Sequence, residues 1–80
     1  MRLPRDVSGE ALVAALSGFG YVLTRQKGSH VRLSTDAHGQ HHITIPLHDP
    51  LRVGTLNAIL KDVAEHAGLT RDEVAETLFG

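Results

Sequence analysis

The sequence predicts an α+β fold, a two-layer sandwich in the order α-β-β-β-α with helices on one face of a three-stranded antiparallel sheet. Three observations lead there. Apolar residues recur at helical spacing near both ends of the chain, whereas the middle alternates apolar and polar. Two short turn segments, Gly28-Ser29 and Asp36-Ala37-His38-Gly39, separate the middle runs as hairpin loops.

The elements follow in order. A first helix is expected over Gly9 to Ser17, with Ser8 as N-cap, Glu10 suiting the dipole, and Leu12, Val13 and Leu16 as its apolar stripe. Gly18 and Gly20 end it, and Phe19 between them is expected to plug the core. Three strands follow: Tyr21 to Lys27, His30 to Thr35 and His41 to Pro46. In the last two, Val31, Leu33, Ile43 and Ile45 face one way. His30, Arg32, Ser34, His42 and Thr44 face the other, so the sheet has an apolar side for helices and a polar side left open. Residues 47–54 read as a loop. A second helix runs over Thr55 to Ala67, with Leu56, Ile59, Leu60 and Val63 inward and Gly68 as its stop. Thr70 and Glu73 form a capping box that opens a short third helix ending near Leu78.

Eighty residues make a single domain, 1–80, in which a modest core leaves room for a partner to add stability. A hydrophobic content of 41% with 21% charged residues fits a globular protein. The lack of cysteine excludes disulfides, thiolate metal sites and cysteine nucleophiles. No stretch can span a membrane, and Met1-Arg2-Leu3-Pro4-Arg5-Asp6 does not read as a signal peptide. A cytoplasmic protein with no membrane partner is expected. The net charge of -1 hides an asymmetry: five Lys/Arg against three acids over residues 1–48, but three against six over 49–80. Five of the six histidines also lie in the first part, which is where a nucleic-acid site belongs.

The turn Gly28-Ser29-His30 stands out within it. His30 opens a strand, preceded by Arg25 and Lys27 and followed by Arg32. A group that titrates near neutrality among cations suits proton transfer on a phosphate-bearing substrate.

Four segments extend the pattern: Gly18-Phe19-Gly20-Tyr21, Arg25 to His30, Ile45-Pro46-Leu47-His48, and Gly54-Thr55-Leu56 with Ile59-Leu60. In this order, from about Ser8 to Leu78, they resemble the HicA family of bacterial mRNA interferase toxins. The resemblance implies a double-stranded-RNA-binding-domain-like fold, endoribonuclease activity on mRNA, and neutralisation by a HicB-type antitoxin. It puts His30 at the catalytic position and Gly28 and Ser29 in the turn beside it. A monomeric toxin within a hetero-oligomeric complex is the expected assembly, with the antitoxin over the open sheet face.

The residue types suit that chemistry without a metal or cofactor. RNA carries its own nucleophile, the 2′-hydroxyl, so the protein needs a base, an acid and cations for the developing charge. His30 is the acid/base, with Arg25, Lys27, Arg32 and His42 as further substrate-binding candidates. The second proton-transfer partner stays open among His42, Lys27, water and a substrate group. His48 matches a histidine often seen in the family; loop stabilisation, RNA contact and plain exposure are its alternatives. His41 and His42, adjacent in a strand, project oppositely and do not share a metal; with His38 in a loop, no metal site is expected. Gly54-Thr55 is read as the start of the second helix, with capping favoured over phosphate contact. Asp62, Glu65, Asp72, Glu73 and Glu76 are read as a solvated face. The pI of 6.6 and three aromatic residues depart from a strongly basic RNA binder, leaving Phe19, Tyr21 or a histidine for base stacking. A noncatalytic RNA-binding module of the same fold and a protein-interaction subunit are the competing readings.

Overall fold

In the computed structural model, which describes residues 3–80, the elements run α1 (Gly9–Leu16), β1 (Val22–Lys27), β2 (His30–Thr35), β3 (His41–Pro46), α2 (Val53–Ala67) and α3 (Arg71–Phe79). Met1 and Arg2, part of the N-terminal reading above, lie outside the described residues. The fold is the expected α+β arrangement, one antiparallel sheet in the order β1-β2-β3.

Alternation in β2 and β3 organises the core. Val31, Leu33, Ile43 and Ile45 are buried and meet Leu12 and Leu16 of α1 and Leu56, Leu60 and Val63 of α2. The ladder pairs Val31 with Ile45 and Leu33 with Ile43, so both hairpin strands present matched apolar rungs. On the opposite side Arg32 pairs with Thr44 and Ser34 with His42, all outside the core. Tight hairpin geometry accounts for the turn, where Gly28 takes φ 58°, a left-handed conformation that a side chain disfavours.

Several boundaries differ from expectation, each for a local reason. α1 stops at Leu16 and tightens into a 3-10 turn over Ser17–Phe19, which Gly20 closes at φ 82°. The core plug is Tyr21, 4% exposed, while Phe19 is only half-buried against it. α2 begins at Val53, so Gly54 and Thr55 lie within its first turn and Thr55 does not cap it. Arg52 occupies the N-cap position with no side-chain hydrogen bond. Gly68 closes α2 in the left-handed conformation, and the Thr70–Glu73 capping box opens α3. The helices leave β1 uncovered: all six of its residues are exposed.

The segment after β3 is held from two sides. The Leu47 amide donates to the Ser29 carbonyl at 2.6 Å, tying the exit of β3 to the β1–β2 turn. The Gly9 amide donates to the His48 carbonyl at 2.8 Å, and Leu51 donates to Val7 at 2.8 Å. Gly9 itself is buried so close to this segment that a Cβ there would collide with the Pro46 carbonyl oxygen and lie 2.8 Å from Leu47 Cα. Both obstacles are backbone, so relief requires moving the chain. Gly9→Ala is therefore expected to lose about 1–3 kcal/mol in urea unfolding, the usual cost of overpacking.

Candidate functional site

The open sheet face gathers the predicted residues through one irregularity. The β1–β2 ladder pairs Leu23 with Leu33 and then Arg25 with Arg32, leaving Thr24 as an extra residue, a β-bulge. Strict alternation from Leu23 would send Arg25 and Lys27 to the helix side. The bulge resets the phase. Arg25 lies across from Arg32 and Lys27 across from His30, all four outside the core. Thr24 anchors the bulge: its hydroxyl donates to the Arg32 carbonyl at 3.2 Å and lies 3.1 Å from Ser34 Oγ. Ser34 Oγ in turn is 2.6 Å from His42 Nδ1, which fixes that ring on the open face.

Two cations directly opposite in a ladder destabilise it. The Arg25–Arg32 pair has no carboxylate bound to either guanidinium among the described residues, so the arrangement favours an anion from outside. Val22, Thr24, Arg25, Arg32, Ser34 and His42 line a shallow groove of ≈ 730 Å³ along this face. Asp36 is the carboxylate along its lining, beyond Ser34 in the chain. His30 lies outside this lining, beyond the Arg25–Arg32 pair along the ladder.

Gly28, Ser29 and His30 are all exposed at the turn. His30 and His42 share the open face, but His30 pairs with Pro46 and Ser34 with His42, four residues along β2. That is a separation of about 13 Å at roughly 3.3 Å per residue. His42 thus stands well along the sheet from His30, on the same open face but apart from the turn. The neighbour of His30 is His48: their ring centroids are 6.5 Å apart, edge to face at 73°. Its position depends on the chain folding back after Pro46, which strand periodicity does not reveal.

A second group of polar residues lies on the helix side. Tyr21 donates its hydroxyl to His41 Nδ1 at 2.7 Å, and His41 Nε2 donates to Asp62 at 3.2 Å. His66 stacks on His41 with centroids 4.4 Å apart and donates from Nε2 to the Ala37 and Gly39 carbonyls, 2.9 Å each. This network closes the β2–β3 loop over α2, and each ring nitrogen engaged has a matched partner. His41 and His42 do face opposite sides, and His38 sits in the loop at φ 59°. Among the described residues, no group of three or more His, Asp or Glu side chains is arranged so that it could hold a metal ion. Tyr21 is buried and bonded, so it is not a base-stacking platform. Asp62 is bonded to His41, Glu73 serves the capping box and Asp72 pairs with Arg71, so three of the five acids expected on a solvated face have structural partners.

A family model described as the HicA toxin of bacterial toxin-antitoxin matches residues 9–64. No match was found among curated proteins or among solved structures. Among the described residues, no helix is long and apolar enough to cross a membrane.

Two outcomes follow from this geometry. Arg25→Gln removes the like-charge pair and should raise stability by about 0.2–1 kcal/mol. On the expectation that RNA lies along this face, the same change weakens its binding and reduces the slope of log K against log salt by about 0.7. Urea unfolding and a salt titration read the two effects separately. Burial, then the Asp62 charge, raises the Tyr21 phenol above its ordinary value of 10.0. The folded state thus holds the phenol proton more tightly than the unfolded chain. That contribution is fully present below pH about 10 and is lost as pH rises through the raised folded value. Thermal unfolding should accordingly show a steeper alkaline loss in the wild type than in Tyr21→Phe.

Proposed function

The chain belongs to the HicA toxin family of bacterial toxin–antitoxin systems, and from that premise we propose that it is a metal-independent endoribonuclease that cleaves mRNA, with His30 as an acid/base. A toxin of such a system has an antitoxin partner; here the partner is a HicB-type antitoxin that covers the open sheet face. The toxin acts as one domain over residues 1–80, monomeric within a hetero-oligomeric complex in the cytoplasm.

The observation that carries this reading is the placement of His30, in an exposed turn at the end of a groove whose cations converge through the Thr24 bulge. RNA supplies the 2′-oxygen nucleophile, so the protein's task is proton transfer and charge stabilisation. Lys27 stands across from His30, where it can meet the developing charge on the phosphorane. Arg25 and Arg32 hold phosphates further along the strand, and His42, oriented by Ser34, contacts the same strand. Gly28 and Ser29 keep the turn small enough for the backbone of RNA to approach.

Three cations on one face and a net charge of -1 fit local rather than general polyanion binding. An antitoxin that lays carboxylates over Arg25, Lys27 and Arg32 would block RNA and His30 together.

Expression of the wild type and His30→Ala side by side, with RNA integrity followed over time, tests the proposal. Wild type should arrest growth and fragment mRNA, and the variant should cleave about 10²–10⁴-fold more slowly. Cleavage by the purified wild type should persist in excess EDTA. Unchanged toxicity and cleavage in His30→Ala would refute the role of His30. Retention of RNA without cleavage by either protein would instead identify a noncatalytic binding module.

A further inference from the structure

We propose that His48 is the second proton-transfer group of the ribonuclease site, giving its proton to the leaving 5′-oxygen while His30 takes the proton of the 2′-hydroxyl. This inference rests on the function proposed above and names the partner that His30 requires.

Cleavage of RNA by its own 2′-oxygen needs two proton transfers on opposite sides of one phosphorus. The 2′-oxygen forms a bond to phosphorus as its proton passes to one imidazole. The bond from phosphorus to the 5′-oxygen breaks as the other imidazolium protonates that oxygen. The products are a 2′,3′-cyclic phosphate and a 5′-hydroxyl, and the two imidazoles have exchanged protonation states. No oxidant, metal or further reactant enters the balance.

The two groups must therefore flank a phosphate without bonding to each other. His30 and His48 meet this requirement: their centroids are 6.5 Å apart and the rings stand at 73°, so the edge of one is turned toward the face of the other. Both residues are exposed, and neither ring has a hydrogen-bond partner among the described residues. Of the other histidines, His38 lies in the loop at the far end of β2 from His30. His41, His42 and His66 are all hydrogen-bonded, and His42 lies about 13 Å along the sheet at roughly 3.3 Å per residue.

The backbone around His48 is held as a catalytic group requires. The Leu47 amide is bound to the Ser29 carbonyl, so the residue before His48 is joined to the residue before His30. The His48 carbonyl accepts from the Gly9 amide at 2.8 Å, fixing the other side. Positive charge lies on the His30 side, where Lys27 is directly across the ladder, whereas Asp49 follows His48 in the chain. With His30 as the acceptor, donation to the leaving oxygen falls to His48.

The test uses a short RNA whose cleavage position has first been mapped with the wild-type chain. A second version carries sulfur in place of the bridging 5′-oxygen at that position, a leaving group that departs without protonation. Wild type, His30→Ala, His48→Ala and His48→Gln are compared in single-turnover cleavage of both. On ordinary RNA the His48 variants should be about 10²–10⁴-fold slower than wild type. On the sulfur-containing RNA they should recover to within about tenfold of it, while His30→Ala stays slow on both. The His48 variants should also lose the alkaline fall of the pH–rate profile, and their thermal unfolding should match the wild type because both rings are exposed. His48 variants that cleave ordinary RNA at the wild-type rate, or that remain equally slow on both substrates, would overturn the assignment. Absence of cleavage by the wild type would refute the ribonuclease reading itself, an outcome distinct from either.

Discussion

The buried face formed by Val31, Leu33, Ile43 and Ile45 is the constraint on which the rest of the molecule depends. Side chains alternate along a strand, so a slip of one residue would expose all four and bury Arg32, His42 and Thr44 in their place. Burying a set of aliphatic side chains contributes on the order of 1.5–3 kcal/mol each, whereas burying an unpaired guanidinium is prohibitive. The register is thereby fixed by the core, and the composition of the open face follows from it. His30 and Arg32 are exposed because their neighbours in β2 are not.

β1 obeys a different balance. Its six residues are exposed, so no core interaction dictates its phase. The Thr24 bulge is free to exist there and brings Arg25 and Lys27 to the side of Arg32 and His30. The arrangement opposes one arginine to another, which a strand selected for stability alone would avoid. Like-charge repulsion confined to one face, while the core is well matched, is a local conflict of the kind that gathers at functional surfaces.

Much of this was legible in the sequence because it rests on local rules. The spans of β2 and β3, the inner stripes of both main helices, the Ser8 cap, the Gly68 stop and the Thr70–Glu73 capping box all follow from periodicity and end chemistry. The bulge was not legible, since six exposed residues offer no apolar phase to read. Tyr21 replaced Phe19 as the core plug because its hydroxyl has a partner in His41, which only the fold brings near. The role of His66 is not legible for the same reason: its partners are carbonyls of a loop 27 and 29 residues away in the chain. At the candidate site, the Gly-Ser-His turn and its cations were legible, but the distance from His30 to His42 and to His48 depends on register and chain reversal.

The chain reversal after β3 connects fold to function most directly. Gly9, at the start of α1, has no role in the helix that another small residue could not fill. Its lack of a Cβ matters because the Pro46–Leu47 backbone passes against it. That close approach lets the Gly9 amide reach the His48 carbonyl, while Leu47 holds the Ser29 carbonyl. Three distant parts of the chain (the start of α1, the β1–β2 turn and the exit of β3) thus meet at the edge of the open face. Backbone amides and carbonyls hold this junction, so the imidazoles of His30 and His48 are not needed to maintain it. Both rings remain available to a substrate. Within these 80 residues there is little interior, and backbone clamping holds two exposed imidazoles beside each other without it.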